Sequence, residues 1–301
     1  MSTELATTDN RLSEVVRMVT NAVDSPHTRR AYTRALSDFL TWYATSNKGL
    51  NRAAVNDYRV FLRTSGVSDS SINQRLSAVR KLASEAAANG LLDDQAAAGI
   101  KSIKGIAVRG DKLGTWLEKD QAETMLRSPD TSTVKGLRDR AILAVMIGCG
   151  LRREEVVNLD VAHIQQRAGR WVLVDLVGKR NKVRSVPMAS WVKHSIDCWQ
   201  LAAAIVEGPL FRPIRRGGHL QAGRMTSQAI WDIVQDHTPV GLTVAPHDLR
   251  RTYAKLARAG GAALEQIQLT LGHESLDTTR RYLGTELDLK RSPSDMIDLE
   301  V

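Results

Sequence analysis

Residues 171–186 read Trp-Val-Leu-Val-Asp-Leu-Val-Gly-Lys-Arg-Asn-Lys-Val-Arg-Ser-Val, and the hydrophobic pattern of the chain changes there. Residues 171–177 are rich in β-branched side chains, which favours a strand. The polar run Gly178–Asn181 is typical of a turn. Residues 183–186 alternate with a period of two, which predicts a return strand. The stretch therefore predicts a β-hairpin.

On both sides of this hairpin, apolar residues recur at spacings of three and four, which predicts helices. Ser25-Pro26 is a helix start signal, and Asn51 and either Ser68 or Asp69 are predicted N-caps of the next two helices. Further helices are expected at 119–126, 134–147, 189–205, 227–235, 248–259 and 262–271. The pattern predicts a mainly α protein with a small antiparallel sheet in its second half.

The length of 301 residues suggests two domains, at about 150 residues per domain. The run Arg109–Gly114 is polar and contains two glycines, as expected of a linker. We therefore expect domains at residues 1–108 and 115–301, joined by residues 109–114. A hydrophobic share of 43% and a charged share of 25% exclude wholesale disorder, collagen and a disulfide scaffold.

The cysteine content and the polarity of the N-terminus bear on location. Cys149 and Cys198 are too few for a disulfide framework, which suggests a reducing compartment. The apolar run Ala141–Cys149 is about half of what a membrane helix needs. Residues 1–10 lack the pattern of a signal peptide. We expect a cytoplasmic protein without a membrane contact.

The net charge of +9 favours a polyanionic partner, either nucleic acid or anionic lipid. No predicted helix combines a basic face with Trp or Phe, which disfavours a lipid surface. The chain lacks the motifs H-E-x-x-H, C-x-x-C and G-x-S-x-G, and Gly178-Lys179 lacks the upstream glycine of a P-loop. No metal site is predicted.

Basic residues occur instead in defined local settings. Arg152 follows Gly148-Cys149-Gly150 at a helix start, where backbone N–H groups attract anions; a surface pair with Glu155 is the alternative. Four basic residues in six positions of the hairpin could enter a DNA groove or form a solvated turn. They are Lys179, Arg180, Lys182 and Arg184.

Two further settings lie near the end of the chain. His247 and Arg250 are three apart, so they share one face of a helix start; a capping histidine with a surface arginine is the alternative. His273 follows Gly272, and Tyr282 is expected on a short helix capped by Asp277 or Thr278. Taken alone, Tyr282 is more typical of a half-buried amphipathic residue, because a tyrosine at a helix end usually has that role.

The order and spacing of these residues resemble the tyrosine recombinase (phage integrase) family. The matching strings are G-L-R-R-E-E-V, V-G-K-R-N-K-V-R-S-V-P, H-D-L-R-R-T-Y-A and L-G-H-x8-Y. The resemblance covers about Leu113 to Leu283, and the N-terminal helices resemble more loosely that family's core-binding, SAM-like domain. It implies a mixed α+β catalytic domain behind a helical DNA clamp, with an Xer-like plan.

The resemblance also implies a site-specific DNA recombinase that forms a 3′-phosphotyrosyl link. Tyr282 would attack the scissile phosphate, and Lys179, favoured over Lys182, would protonate the leaving 5′-oxygen. Such a reaction needs fixed cations but neither metal nor ATP. The remaining implied roles are phosphate clamps (Arg152, Arg250), proton acceptor or phosphate ligand (His247), hydrogen-bond donor (His273), supporting acid (Glu155) and DNA contacts (Arg180, Lys182, Arg184, Arg251, Arg280, Arg281).

The expected partner is double-stranded DNA with a short inverted-repeat core site, and the protein is expected to be associated with the nucleoid when it is bound to DNA. We expect a tetramer on two such sites, with the apolar tail after Tyr282 exchanged between subunits. A second recombinase or an accessory protein stays open as a partner, as does the choice between integration, excision and dimer resolution. Two alternatives are a relaxing enzyme of the type IB topoisomerase kind and a non-catalytic DNA-binding regulator.

Overall fold

A computed structural model describes residues 14, 16–46, 48–107, 115–178 and 182–283, apart from the side chains of His27, Asp277, Arg281 and Tyr282. The chain separates into two compact units, Met1–Gly110 and Asp111–Val301. We call them unit 1 and unit 2 and describe each by itself.

Unit 1 is helical, with α1 (Pro26–Ala44), α2 (Arg52–Thr64), α3 (Asp69–Ala88) and α4 (Asp94–Lys101). Residues 16–21 are helical as well. The predicted starts are confirmed, because the side chain of Ser25 accepts the Thr28 N–H before Pro26 and Asn51 caps α2. Of the two residues considered for α3, Ser68 is the N-cap.

The core of unit 1 forms where the apolar faces of α1, α2 and α3 meet. Leu36, Phe39 and Leu76 are fully buried, and the rings of Phe39 and Tyr58 lie 5.0 Å apart edge to face. The segment after α4 is held by Asn73 of α3. The Asn73 amide donates to the Ile106 carbonyl and accepts from the Ile106 N–H.

Unit 2 contains a second core, built around one almost completely buried helix. Its helices are α5 (Lys119–Arg127), α6 (Val134–Cys149), α7 (Arg153–Val157), α8 (Ser190–Ala202), α9 (Ser227–Asp236), α10 (Pro246–Ala259), α11 (Leu264–Leu271) and α12 (Leu276–Leu283). Residues 141–147 of α6 are at most 4% exposed, and α6 packs on α8 and α10. The apolar run noted in the sequence is therefore a core helix. Within the described part of the chain, no helix is both long and apolar enough to cross a membrane.

The sheet of unit 2 has three antiparallel strands in the order β1 (Ile164–Arg167), β2 (Arg170–Val177) and β3 (Val183–Pro187). The predicted hairpin is confirmed, with Val177 opposite Val183 and Leu173 opposite Val186. Strand β1 was not predicted; it pairs Ile164 with Leu173 and joins β2 through a tight turn. The predicted fold class, mainly α with a small antiparallel sheet, is confirmed.

Candidate active site

Arg152 lies at the junction of α6 and α7. Helix α6 ends at Gly150, whose φ of +61° is the left-handed conformation that glycine adopts without strain. Two residues later, Arg152 is the N-cap of α7, as predicted. Its backbone N–H donates to Glu155 Oε2 at 2.8 Å, and its Nη1 donates to Glu155 Oε1 at 2.9 Å. Arg152 is thus held by both its backbone and its side chain.

Glu155 is a buried carboxylate that two arginines share. Its side chain is 4% exposed, and it also accepts from Nη1 and Nη2 of Arg184, both at 2.8 Å. Burial alone would raise the pKa of Glu155. The hydrogen bonds and charge of Arg184, with those of Arg152, outweigh burial and lower this pKa to about 2. Glu155 is therefore ionised at neutral pH.

Arg184 faces the interior of unit 2. Besides its two bonds to Glu155, its Nε donates to the Thr270 carbonyl at 2.8 Å, and its side chain is only 10% exposed. We predicted Arg184 as a DNA contact. Its guanidinium is bonded to groups of its own unit, and its contact with DNA stays a prediction.

Helix α10 contributes His247 and Arg250. Pro246 is the first residue of the helix, which places His247 in the first turn, at the cleft surface. Arg250 is 1% exposed; its Nη1 donates to the Gly150 carbonyl at 2.5 Å and its Nη2 to the Leu271 carbonyl. Partial desolvation of the His247 ring and the charge of Arg250 lower the pKa of His247. The neutral imidazole is thereby favoured.

His273 follows the end of α11, where Gly272 has a φ of +62°. Its Nδ1 lies 2.9 Å from Oγ1 of Thr279, a fully buried residue of α12. Burial and then the positive charges of Arg250 and Arg152 lower the pKa of His273 to about 4. His273 is therefore a neutral imidazole at pH 7.

Two surface pockets border these groups, and we refer to them together as the cleft. The first, of about 350 Å³, is lined by Arg152, His247 and Arg250 together with Trp231 of α9. The second, of about 180 Å³, is lined by Arg152, Lys182, Arg184 and His273. Four of the predicted catalytic side chains, those of Arg152, His247, Arg250 and His273, thus line two pockets that have Arg152 in common.

Some of the predicted site residues lie wholly or partly outside the described residues. Lys179 and Arg180 lie outside the described residues, as does the tail from residue 284 onwards. The backbone of Arg281 and Tyr282 is part of α12, and their side chains are not among those that the structure describes. Helix α12 packs on α10 and α11. The Thr278 N–H donates to Ser275 Oγ at 3.3 Å, so Ser275 caps this helix rather than the predicted Asp277 or Thr278.

Of the predicted DNA contacts, Lys182, Arg251 and Arg280 are at or near the surface. Lys182 is 61% exposed with its Nζ 3.8 Å from Glu274, and Arg280 is exposed on α12. Arg251 Nη1 lies 3.9 Å from Asp248. Their contact with DNA stays a prediction. Among the described residues, no group of three His, Cys, Asp or Glu side chains could hold a metal ion.

Two residues of the site, Trp231 and Thr279, were not predicted from the sequence. Neither was singled out by the motifs that resemble the family. A weak signal existed only for Thr279, which follows His273 by six residues across a helix cap. The position of Trp231 depends on the packing of α9 beside α7, which no local pattern reveals.

Residues 115–286 match the model of the phage integrase family, and residues 18–90 match that of the phage integrase N-terminal SAM-like domain. The chain belongs to the phage integrase family. Tyrosine recombinase XerD of Xanthomonas axonopodis pv. citri is 31% identical over 274 residues, covering 85% of this chain and 86% of that protein. Tyrosine recombinase XerC of Pelobacter propionicus is 31% identical over 274 residues, covering 88% and 86%.

Solved structures have the same fold. The XerH recombinase bound to palindromic difH substrate, in a post-cleavage complex, matches with a TM-score of 0.70 and 21% identity over 91% of this chain and 80% of that one. A lambda integrase dimer bound to a COC′ core site matches with a TM-score of 0.69 and 14% identity over 92% and 78%.

Membership of the phage integrase family settles the class of activity. The protein is a tyrosine recombinase, an enzyme of site-specific DNA recombination that cleaves and rejoins DNA by tyrosine transesterification. The recombinase relatives do not support the two alternatives, a type IB topoisomerase-like enzyme and a non-catalytic regulator.

Proposed function

We propose that Tyr282 is the nucleophile of this recombinase and that the cleft around Arg152 holds the phosphate it attacks. The observation that carries the proposal is the arrangement of Arg152, His247, Arg250 and His273 around two pockets that share Arg152, with the helix that contains Tyr282 packed on α10 and α11. Transesterification at phosphorus gathers negative charge on the non-bridging oxygens, and fixed donors aimed at those oxygens lower the barrier.

Arg152 has the properties of a phosphate ligand. Its Nη1 and backbone N–H are held by Glu155, while 32% of its side chain remains exposed to the cleft. A guanidinium with one edge fixed can offer its other donors to phosphate oxygens with little loss of side-chain entropy. Arg250, anchored to two backbone carbonyls, borders the same space and is the proposed second clamp.

The two histidines are suited to donate or accept protons because both favour the neutral form. If the Thr279 hydroxyl donates to Nδ1 of His273, the ring proton resides on Nε2, which can then donate to a phosphate oxygen. His247, at the cleft surface beside Arg250, is the proposed acceptor of the tyrosine proton.

The choice of Tyr282 is strengthened by comparison with Tyr253, the other tyrosine of residues 111–301. Tyr253 packs beside the α6–α7 junction, so closely that a Cβ on Gly150 would lie 2.7 Å from its Cδ1. Burial also raises the pKa of its phenol, which disfavours the phenolate. Tyr253 is therefore a poor nucleophile and a useful control.

In the proposed reaction the Tyr282 oxygen forms a bond to phosphorus as the bond from phosphorus to the 5′-oxygen breaks. Lys179 gives its proton to that 5′-oxygen, and the tyrosine proton passes to His247. A 5′-hydroxyl of the partner strand reverses the step, so the energy of the phosphodiester is kept. The cycle balances without a cofactor.

The proposed substrate is double-stranded DNA with a short inverted-repeat core site, bound by a tetramer across two sites. The palindromic difH substrate of the XerH complex and the core site of the lambda integrase dimer support this choice. Residues 1–108 would clamp the duplex, residues 109–114 would form the linker, and residues 115–301 would perform catalysis. A reaction on chromosomal or mobile DNA would place the protein in the cytoplasm.

Covalent trapping tests the proposal. Wild-type protein is incubated with fragmented DNA of its source and denatured, and the DNA ends that carry a peptide are sequenced. Tyr282→Phe should abolish the adduct, while Tyr253→Phe should retain it. Recovery of one inverted-repeat site would identify the target, and strand exchange by purified protein alone would show that no accessory protein is needed. An equal adduct from Tyr282→Phe would refute the proposed nucleophile.

A further inference from the structure

One buried arginine outside the proposed phosphate contacts links three elements of the site. Arg184 of β3 reaches Glu155 of α7 through Nη1 and Nη2 and reaches Thr270 of α11 through Nε. All three nitrogens of its guanidinium are therefore engaged within unit 2. Because the guanidinium is planar, its donors fix the direction as well as the distance of the acceptors they bind, which a lysine ammonium cannot do.

On one side, Arg184 determines the position of Arg152 through the shared carboxylate. Glu155 Oε1 accepts from Nη1 of both arginines, at 2.9 and 2.8 Å. Glu155 Oε2 accepts from the Arg152 N–H and from Arg184 Nη2, both at 2.8 Å. Without Arg184, each carboxylate oxygen would lose one of its two donors, and the acid would no longer hold Arg152 in a single orientation.

On the other side, Arg184 fixes the end of α11, three residues before His273. The last carbonyls of a helix have no partner within the helix and carry its negative end. Arg184 occupies the Thr270 carbonyl and Arg250 the next one, that of Leu271. The position of His273, which follows directly, therefore depends on these two guanidiniums.

Two glycines leave the space that the Arg184 side chain fills. A Cβ on Gly272 would lie 3.0 Å from Arg184 Cδ. A Cβ on Gly178 would lie 3.3 Å from Arg184 Nη1 and 3.6 Å from Glu155 Oε1. These glycines belong to the strings L-G-H and V-G-K, so both motifs border Arg184 directly.

We propose that Arg184 is a positioning residue, which holds Arg152 and His273 at the separation that lets both contact one phosphate. The inference rests on the proposed function, in which Arg152 and His273 are phosphate ligands. It differs from a DNA contact, which would act on affinity. It also differs from a merely structural ion pair, which would act on stability alone.

The test separates cleavage rate from DNA affinity in the full-length protein. The probe is a nicked duplex with the site recovered by wild-type trapping, and the variants are Arg184→Gln and Arg184→Lys. The matched control is Arg170→Gln, which changes an exposed arginine at the far end of β2 from Gly178. Single-turnover adduct formation at saturating DNA, binding at several salt concentrations and thermal unfolding are measured for each protein.

For Arg184→Gln we expect adduct formation to slow about 100-fold, the loss typical of a misplaced reacting group. The dissociation constant should stay within about threefold of wild type with the same salt dependence, because no phosphate contact is lost. Arg184→Lys keeps the positive charge but not the planar guanidinium, so its rate of adduct formation should lie between those of wild type and Arg184→Gln. Arg170→Gln should react like wild type.

The pH profile gives a readout that a merely structural role would not move. In Arg184→Gln, Glu155 loses the arginine that contributes most to lowering its pKa, and His273 loses the smallest of the charges that add to burial in lowering its own pKa. The variant should therefore lose adduct rate between pH 7 and pH 5 more steeply than wild type. The other charged and titratable groups around the site are the same in both proteins. They are His247 and Arg250 of α10, Arg152 at the start of α7, and Lys182 and Glu274 at the cleft.

Two results would overturn the proposal. One is a wild-type adduct rate in Arg184→Gln with unchanged pH dependence. The other is weaker, less salt-dependent DNA binding with an unchanged rate at saturation, which would restore the DNA contact. If Arg184→Gln does not fold, Arg184→Lys decides by the same criteria. A wild-type protein that forms no Tyr282-dependent adduct would overturn the proposed function and this inference together.

Discussion

Replacing Glu155 with glutamine removes the negative charge that Arg152 and Arg184 share, while keeping nearly the same shape. Burial opposes ionisation of this carboxyl, yet the two arginines lower its pKa from the ordinary 4.5 to about 2. Because the pKa is lower in the folded state, the stabilisation is complete above the ordinary value and disappears as the pH falls towards 2. It amounts to about 3 kcal/mol at pH 7 and about 1 kcal/mol at pH 3.

We therefore expect Glu155→Gln to unfold more easily than wild type by about 3 kcal/mol at pH 7, and by about 1 kcal/mol at pH 3. Urea titrations at both pH values measure the difference. Five of the six tryptophans lie in residues 111–301, so their fluorescence reports mainly on unit 2. Other carboxyls titrate equally in both proteins and cancel.

Glu207→Gln is the matched control, because Glu207 is exposed. It should change the free energy of unfolding by less than about 0.5 kcal/mol at either pH. A Glu155→Gln difference below about 1 kcal/mol at pH 7, or one that is the same at pH 7 and pH 3, would refute the reasoning. Either result would mean that the ion pairs only offset the cost of burying Glu155.

Three further predictions concern other parts of unit 2. Since the pKa of His273 is lowered to about 4, wild type should lose stability as the pH falls below 6.5. Because the ring is partly exposed and solvent screens its interactions, His273→Gln should gain about 1 kcal/mol on wild type between pH 7.5 and pH 5 in urea titrations, roughly half of what the full shift would give. Equal differences at both pH values would contradict this. Trp199→Phe should cost about 2 kcal/mol in the same assay, because Trp199 is buried and donates to the Leu210 carbonyl at 2.8 Å. Lys182→Gln and Arg280→Gln should each reduce the salt slope of DNA binding by about 1, equally on site and random duplex; an unchanged slope would remove that residue from the DNA contacts.

Local signals in the sequence were sufficient for most of the fold. Ser25 and Asn51 begin helices because their side chains accept backbone N–H groups of the first turn. Pro26 fits the first helical position because it has no N–H that needs a partner. These start signals depend on no distant residue. The hairpin was visible from the β-branched residues of β2. Strand β1 was not, because Ile-Gln-Gln-Arg has little strand propensity; it forms because Ile164 pairs with Leu173 of β2.

The site shows the same division between local and distant contacts. Arg152 and Glu155 are three residues apart on one helix start, so their pairing could be expected from spacing. Arg184 looked like one of four cations in a DNA-facing turn. Charge and spacing do not reveal that its partners, Glu155 and Thr270, are 29 and 86 residues away in the chain.

Burial and nearby guanidiniums act together to keep the two histidines neutral. Desolvation is the largest cause of the lowered pKa of both His247 and His273, and the charges of Arg250 and Arg152 add to it. The guanidiniums of Arg152 and Arg250 are held by Glu155 and by backbone carbonyls. On the proposed mechanism, these two arginines neutralise the phosphate while the imidazoles remain able to donate and accept protons. A loss of either guanidinium would then disturb both functions, because it changes the charge balance and the histidine pKa values together.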